Sequence, residues 1–158
     1  MSNIQIIHRR LLDEVVSQAK TAPRRRKNYN FHATDGALCH RLLNAIEPDS
    51  YIQPHCHRET SKDETLLIVK GRIGLVLFDE RGNVSQKALL APLGEAVGVN
   101  IPHGVFHTLV ALDSGSVFFE AKAGPYVPFT ASEKATWAPA EGDPQVATYL
   151  TRLQQLFA

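Results

Sequence analysis

The residues best placed to do chemistry are two histidines one position apart, a glutamate soon after them, and a further histidine far downstream. His55 and His57 flank Cys56 in the run Pro54-His55-Cys56-His57. Alternate side chains of an extended strand share a face, so both imidazoles are expected to point one way and Cys56 the other. Glu64 follows, with Gly71 seven positions beyond it. A strand that opens at Glu64 and pairs with the histidine strand would set a carboxylate beside the two rings. Ile101-Pro102-His103-Gly104-Val105-Phe106-His107 then supplies His107 at the start of another strand, just after a Pro-x-Gly turn. Three imidazoles and one carboxylate suit a single divalent first-row ion and, at six coordination, leave positions open for water or substrate. Iron, manganese, nickel, cobalt and zinc all accept such ligands. Glu59 and Asp63 are rival carboxylates from the same loop.

Side chains so far apart in the chain can meet only if the elements between them close on one another. From Ile4 to Ala19 apolar residues recur three and four apart, which predicts a helix over about 4–20 that ends before Pro23. Val146, Tyr149, Leu150, Leu153, Leu156 and Phe157 repeat that spacing at the other end, where Asp143 can cap and Pro144 suits the first helical position. Between the two helices stand short apolar runs rich in Val, Ile, Leu and Phe, broken by turn residues. They predict strands near 38–46, 51–57, 64–70, 73–79, 84–90, 96–101, 106–112 and 117–122, with glycine hairpin turns around Gly71, Gly82 and Gly115. Eight short strands with close turns must hide their edges, so the expected fold is all-β, a jelly-roll barrel over about 38–123. The segment 124–142, with Pro125, Pro128 and Pro139, reads as an irregular excursion over the barrel before the last helix.

The 158 residues fit one domain spanning 1–158. A formal charge of +1 provides no global field toward nucleic acid or anionic membrane. The basic run Arg24-Arg25-Arg26-Lys27 reads first as a solvated loop, with a phosphate contact as the alternative. No apolar stretch reaches the roughly 18 residues of a membrane span. Two cysteines, Cys39 and Cys56, are too few for a disulfide framework and read as small buried residues. With no signal-like N-terminus, the cytoplasm is the expected location. His32 and His40 read as satisfied or exposed histidines, and Phe129 and Trp137 as packing residues that could also cover the barrel mouth or a subunit interface.

The two histidine-bearing segments resemble the two cupin motifs, His-x-His with a downstream Glu and Gly, then Pro-x-Gly-x-x-His. More narrowly, the stretches 41–45, 51–57, 119–126 (Phe-Glu-Ala-Lys-Ala-Gly-Pro-Tyr) and 137–142 (Trp-Ala-Pro-Ala-Glu-Gly) resemble the WbuC family of cupin-fold metalloproteins. That likeness runs over nearly the whole chain. It departs from the general cupin pattern in the six residues between His57 and Glu64, in Asp49 where a glycine is expected, and in Ala111 where asparagine is common.

The resemblance implies a cupin jelly roll flanked by an N-terminal and a C-terminal helix, with one divalent metal ion on His55, His57, Glu64 and His107. It implies a small polar ligand, sugar-derived or carboxylated, because the family is associated with surface-polysaccharide gene clusters. A metal-dependent isomerase, epimerase or oxygenase-like enzyme is one expectation; a non-catalytic binding or regulatory domain is the other. Arg41, Asn44, Lys122 and Tyr126, in the shared segments, are candidates for orienting the ligand. So is His103, inside the Pro-x-Gly turn. By analogy with other cupins a homodimer is expected.

Overall fold

Apolar runs between glycine turns become strands because their alternating residues can be buried on one or both faces, and the computed structural model, which describes residues 4–158, contains eight strands, one of them the polar run Arg26–Asn30. Helix α1 (Arg9–Thr21) is followed by β1 (Arg26–Asn30), β2 (Cys39–Ile46), β3 (Glu64–Lys70), β4 (Ile73–Phe78), β5 (Val84–Leu90), β6 (Gly98–Ile101), β7 (Phe106–Ala111) and β8 (Ser116–Ala123). A single 3₁₀ turn (Ala131–Glu133) and helix α2 (Val146–Gln155) complete the order. One sheet runs β1-β2-β8-β3-β6 and the other β5-β4-β7, and every strand pairing is antiparallel.

The two sheets face each other over a core that includes Ile46, Leu66, Ile73, Leu75, Leu109 and Phe118. Burying each such side chain contributes about 1.5–3 kcal/mol. Each outer face has its own cover. The apolar stripe Leu12, Val15, Val16 and Ala19 of α1 lies on Leu43, Ala45 and Val117. Leu150 and Leu153 of α2 pack with Val76, Phe78 and Val110. The β3–β4 turn requires a glycine: Gly71 has φ 75°, and a Cβ there would stand 2.9 Å from Ser116 Cα.

Five sequence expectations change. Helix α1 starts at Arg9 rather than Ile4, because His8 ends the periodic run by accepting from Leu11 N at 3.2 Å; Ile4 and Ile7 stay exposed. Helix α2 starts two residues late, since Asp143 forms its own turn, its carboxylate taking Gln145 N at 2.8 Å and its carbonyl taking Val146 N at 3.0 Å. The segment 51–57 is extended but makes only isolated bridges at His55, to His107 and Lys134. Pro54 has no N–H for a ladder, and the neighbouring groups bond to the C-terminal excursion: Cys56 N to Glu133 O and Ala135 N to Pro54 O, both 2.9 Å. The basic run is not all loop, for Arg26 and Lys27 open β1, an edge strand paired to β2 with Arg26 opposite Ile46. Finally, Cys39 is exposed at the outer end of β2, whereas Cys56 is buried beneath the three-stranded sheet.

Candidate metal centre

His55 and His107 are locked together through the backbone. His55 N donates to His107 O at 3.1 Å, and His107 N donates to His55 O at 2.9 Å. Two positions on, His57 O accepts from Gly104 N at 2.6 Å, which ties the Pro-x-Gly turn to the histidine segment. Alternation then does what the spacing implies: Cys56 turns into the packing against the outer side of the sheet, and the imidazoles turn inward.

Glu64 arrives from elsewhere than expected. Its strand does not pair with the histidine segment; β3 lies between β6 and β8, with Glu64 opposite Ile101 and Lys122. The carboxylate therefore reaches the imidazoles across the barrel, from the facing sheet, and the register of β8 decides what stands next to it.

One potential donor atom from each of His55, His57, Glu64 and His107 lies within 4.8 Å of the others. Of the rival carboxylates, Asp63 is turned to the turn histidine, accepting from His103 N and meeting His103 Nδ1, both at 2.9 Å. Glu59 accepts from Ser61 at the surface. Glu64 alone of the three joins the histidines.

The protons are arranged to leave electron pairs facing inward. His55 Nδ1 lies 3.0 Å from Gln53 O and His107 Nδ1 lies 2.9 Å from Val105 O, so each Nδ1 carries the hydrogen and each Nε2 is left as a base. Burial pushes the His55 imidazole down to about 3, and the neighbouring His107 adds to the shift. Burial lowers His107 as well. Burial would raise Glu64, but its contact with His57 and the charge of Lys122 outweigh that and hold its carboxyl below the usual range. Neutral imidazoles and an ionised carboxylate are the protonation states a metal requires. His57 Nε2 and Glu64 Oε1 face each other and are buried without a satisfactory hydrogen bond. Buried polar atoms left without a partner are costly, and a cation between them would remove the cost. The donor set and these unsatisfied atoms fit a first-row divalent ion.

The site opens into a cavity of about 660 Å³. Asn44, Lys122 and Tyr126 line it; Arg41 and His103 do not. Lys122 Nζ lies 2.6 Å from Glu120 Oε1 and 3.6 Å from Glu64 Oε1, and Asn44 Nδ2 donates to Glu120 Oε2 at 2.9 Å. Opposite partners outweigh burial and raise the Lys122 ammonium, so this wall stays charged. Phe129 lies against the imidazoles, 4.6 Å from the His55 ring and 5.2 Å from that of His57, and lines the cavity. Trp137 instead packs on Phe78 and Phe106 outside the barrel. Arg24 and Arg26, from the basic run expected to be a solvated loop or else a phosphate contact, line the far end of the cavity with Glu141. Glu120 and Glu141 had no role expected from the sequence, although Glu120 shares the inward face of β8 with Lys122.

Among the described residues no helix is long and apolar enough to cross a membrane. A family model described as a domain of unknown function (DUF6016) matches residues 7–90, more than half of the chain. No curated protein sequence matches. Among solved structures, KdgF from Halomonas sp. superposes with a TM-score of 0.51 at 18% identity, over 65% of this chain and 82% of that one. SPY1581, a conserved protein of unknown function from Streptococcus pyogenes, gives 0.52 at 10% identity, over 80% and 93%. SO0799 from Shewanella oneidensis gives 0.52 at 12%, over 74% and 79%. At such identities the likeness bears on fold alone, and the fold is the cupin jelly roll.

Proposed function

We propose, for a chain that belongs to the family of the domain of unknown function DUF6016, that residues 1–158 form one cupin domain in which His55, His57, Glu64 and His107 hold a divalent first-row metal ion. The observation that carries this is the meeting of three imidazoles and one carboxylate, donor atoms within 4.8 Å of one another, at the inner end of a cavity large enough for a small molecule. When bound, the ion would supply Lewis acidity toward a carbonyl, hydroxyl or water.

The chain's own residues do the rest. Nδ1 hydrogen bonds to Gln53 O and Val105 O keep the His55 and His107 rings in place. Lys122 and Asn44 hold the Glu120 carboxylate in the wall, where it can accept from a ligand hydroxyl. Phe129 shields the imidazole side from water. A small polar molecule, sugar-derived or carboxylated, suits this lining, and the likeness of 41–45, 51–57, 119–126 and 137–142 to WbuC proteins supports a role in surface-polysaccharide biosynthesis. The two cysteines favour the cytoplasm, and analogy with other cupins favours a homodimer.

A second reading, a non-catalytic binding or regulatory domain, is favoured by one observation. Glu120, the carboxylate available to move protons beside the four ligands, is itself tied to Lys122 and Asn44. Incubating metal-loaded protein with simple and nucleotide sugars, while following both binding and product, separates the two. Conversion that disappears in the His55→Ala, His107→Ala variant supports the enzyme. Binding without conversion supports the module.

A further inference from the structure

At the outer end of the same cavity two arginines converge on one carboxylate. Arg24 donates from Nε to Glu141 Oε2 at 2.9 Å and from its terminal nitrogen to Oε1 at 2.7 Å, and Arg26 adds a third bond to Oε1 at 2.5 Å. A two-pronged guanidinium fork plus a further N–H is the geometry with which arginine recognises carboxylate and phosphate groups. The Arg26 guanidinium is anchored independently of the glutamate, and Arg24 is held beside it through its backbone. Arg26 also donates to Tyr51 O at 2.9 Å and Ser50 Oγ at 3.3 Å, while Ser50 Oγ donates to Arg24 O at 2.7 Å. Glu141, by contrast, sits on the irregular segment before α2.

Two further observations give the clamp a ligand to take. Arg24, Arg26 and Glu141 also line an outer pocket of about 170 Å³, so the clamp stands between the cavity and the surface. Among the described residues, five Lys or Arg side chains line the cavity against three glutamates. That imbalance favours an anion even before a divalent ion is counted. If the trio were only a tie between loop and strand, the second arginine would be surplus, since an ion pair at such a rim contributes about 0–1 kcal/mol.

We infer that Arg24 and Arg26 form an oxyanion subsite of this cavity, in which the Glu141 carboxylate stands in for the phosphate or carboxylate group of the ligand and leaves when the ligand arrives. The inference rests on the cavity being the ligand site proposed above, but not on the metal. Ligands would then span the cavity, with hydroxyl or carbonyl oxygens at the histidine end and an oxyanion at the arginine end.

The test titrates inorganic phosphate, and separately succinate, into the full chain by calorimetry at ionic strength held constant with chloride. It uses metal-free wild type, Glu141→Gln, the Arg24→Gln, Arg26→Gln double variant, and the His55→Ala, His107→Ala variant. Glu141→Gln is expected to bind at least about tenfold more tightly than wild type, because the internal competitor is gone. The arginine variant should lose binding and the histidine variant should keep it. The stronger of the two anions identifies the oxyanion. Equal or weaker binding by Glu141→Gln, binding that survives loss of both arginines, or no binding by any form overturns the inference. If Glu141→Gln does not fold, hydrogen exchange of residues 139–145 in wild type decides: saturating anion should speed exchange as Glu141 is released, and unchanged or slower exchange overturns the inference. A failure of the metal reading would appear instead as no metal retained, with these titrations unaffected.

Discussion

The two ends of the cavity are built on opposite principles. At the inner end His55, His57, Glu64 and His107 stand on segments held by paired backbone, and they are buried or nearly so, with one potential donor atom of each gathered within 4.8 Å of the others. At the outer end Glu141 takes three bonds from Arg24 and Arg26, which stand in the turn before an edge strand and at its start, with Arg24 64% and Glu141 35% exposed. Buried polar atoms without partners are costly in proportion to how dry their site is, so a cation at the inner end would remove that cost. An exposed ion pair is worth little net and can be exchanged for another. The barrel therefore combines buried donor atoms that fit a cation with a partly exposed carboxylate held by two arginines.

The contrast can be broken most severely at the inner end. His55→Ala with His107→Ala should lower divalent-metal affinity at least about 100-fold, read by competition with a chelating dye, because even partners outside the ligand set typically cost 10–100-fold. The same metal should stabilise wild type by about 2.7 kcal/mol at 100 times its dissociation constant and leave the variant's melting temperature unmoved. Glu64→Gln keeps the shape but removes the charge. It should weaken the metal markedly, and the metal-free protein should lose some stability at neutral pH, because burial is outweighed by the His57 contact and the Lys122 charge, which hold the Glu64 carboxyl below its usual range and favour its ionised form in the fold. Glu120→Gln, bonded to Lys122 and Asn44 but to none of the four ligands, should change metal affinity by less than about tenfold, short of the cost of losing a direct partner of a ligand.

The smallest effect belongs to the outer end and depends on pH. Burial would raise the Glu141 carboxyl, but the hydrogen bonds and charges of Arg24 and Arg26 outweigh it and hold the group below its ordinary value. A depressed carboxyl stabilises the fold fully above the unfolded value of about 4.3 and ceases to do so as pH falls through the folded value. Wild type should therefore exceed Glu141→Gln in stability at neutral pH by no more than about 1 kcal/mol, and the gap should close below pH of about 4. Acid unfolding of the two proteins followed by circular dichroism measures it.

What could be read from the sequence follows how local each feature is. That His55 and His57 share a face depends only on strand alternation across Cys56, and the glycine at 71 on a turn of positive φ. The pairing of β3 was not legible, because a strand's neighbours are chosen by packing far along the chain; Glu64 meets the histidines across the barrel rather than along one sheet. The choice among Glu59, Asp63 and Glu64 needed the position of His103, forty residues away from Asp63. The arginine clamp was the least legible feature of all. The basic run read first as a solvated loop, with a phosphate contact as the alternative, and the carboxylate that Arg24 and Arg26 meet stands 117 and 115 residues downstream in a segment with no periodicity to betray it. Helix ends shifted for the same reason that caps are local: His8 and Asp143 close turns that the apolar spacing alone ignores.

The most direct test is the metal stoichiometry of the chain, by elemental analysis after reconstitution with manganese(II) and removal of free ion, alongside X-ray absorption at the metal edge. One ion per chain, with three imidazoles in its coordination sphere and none retained by the His55→Ala, His107→Ala variant, is the expected result. Wild type holding no more metal than that variant would contradict the reading of these four side chains as a metal centre.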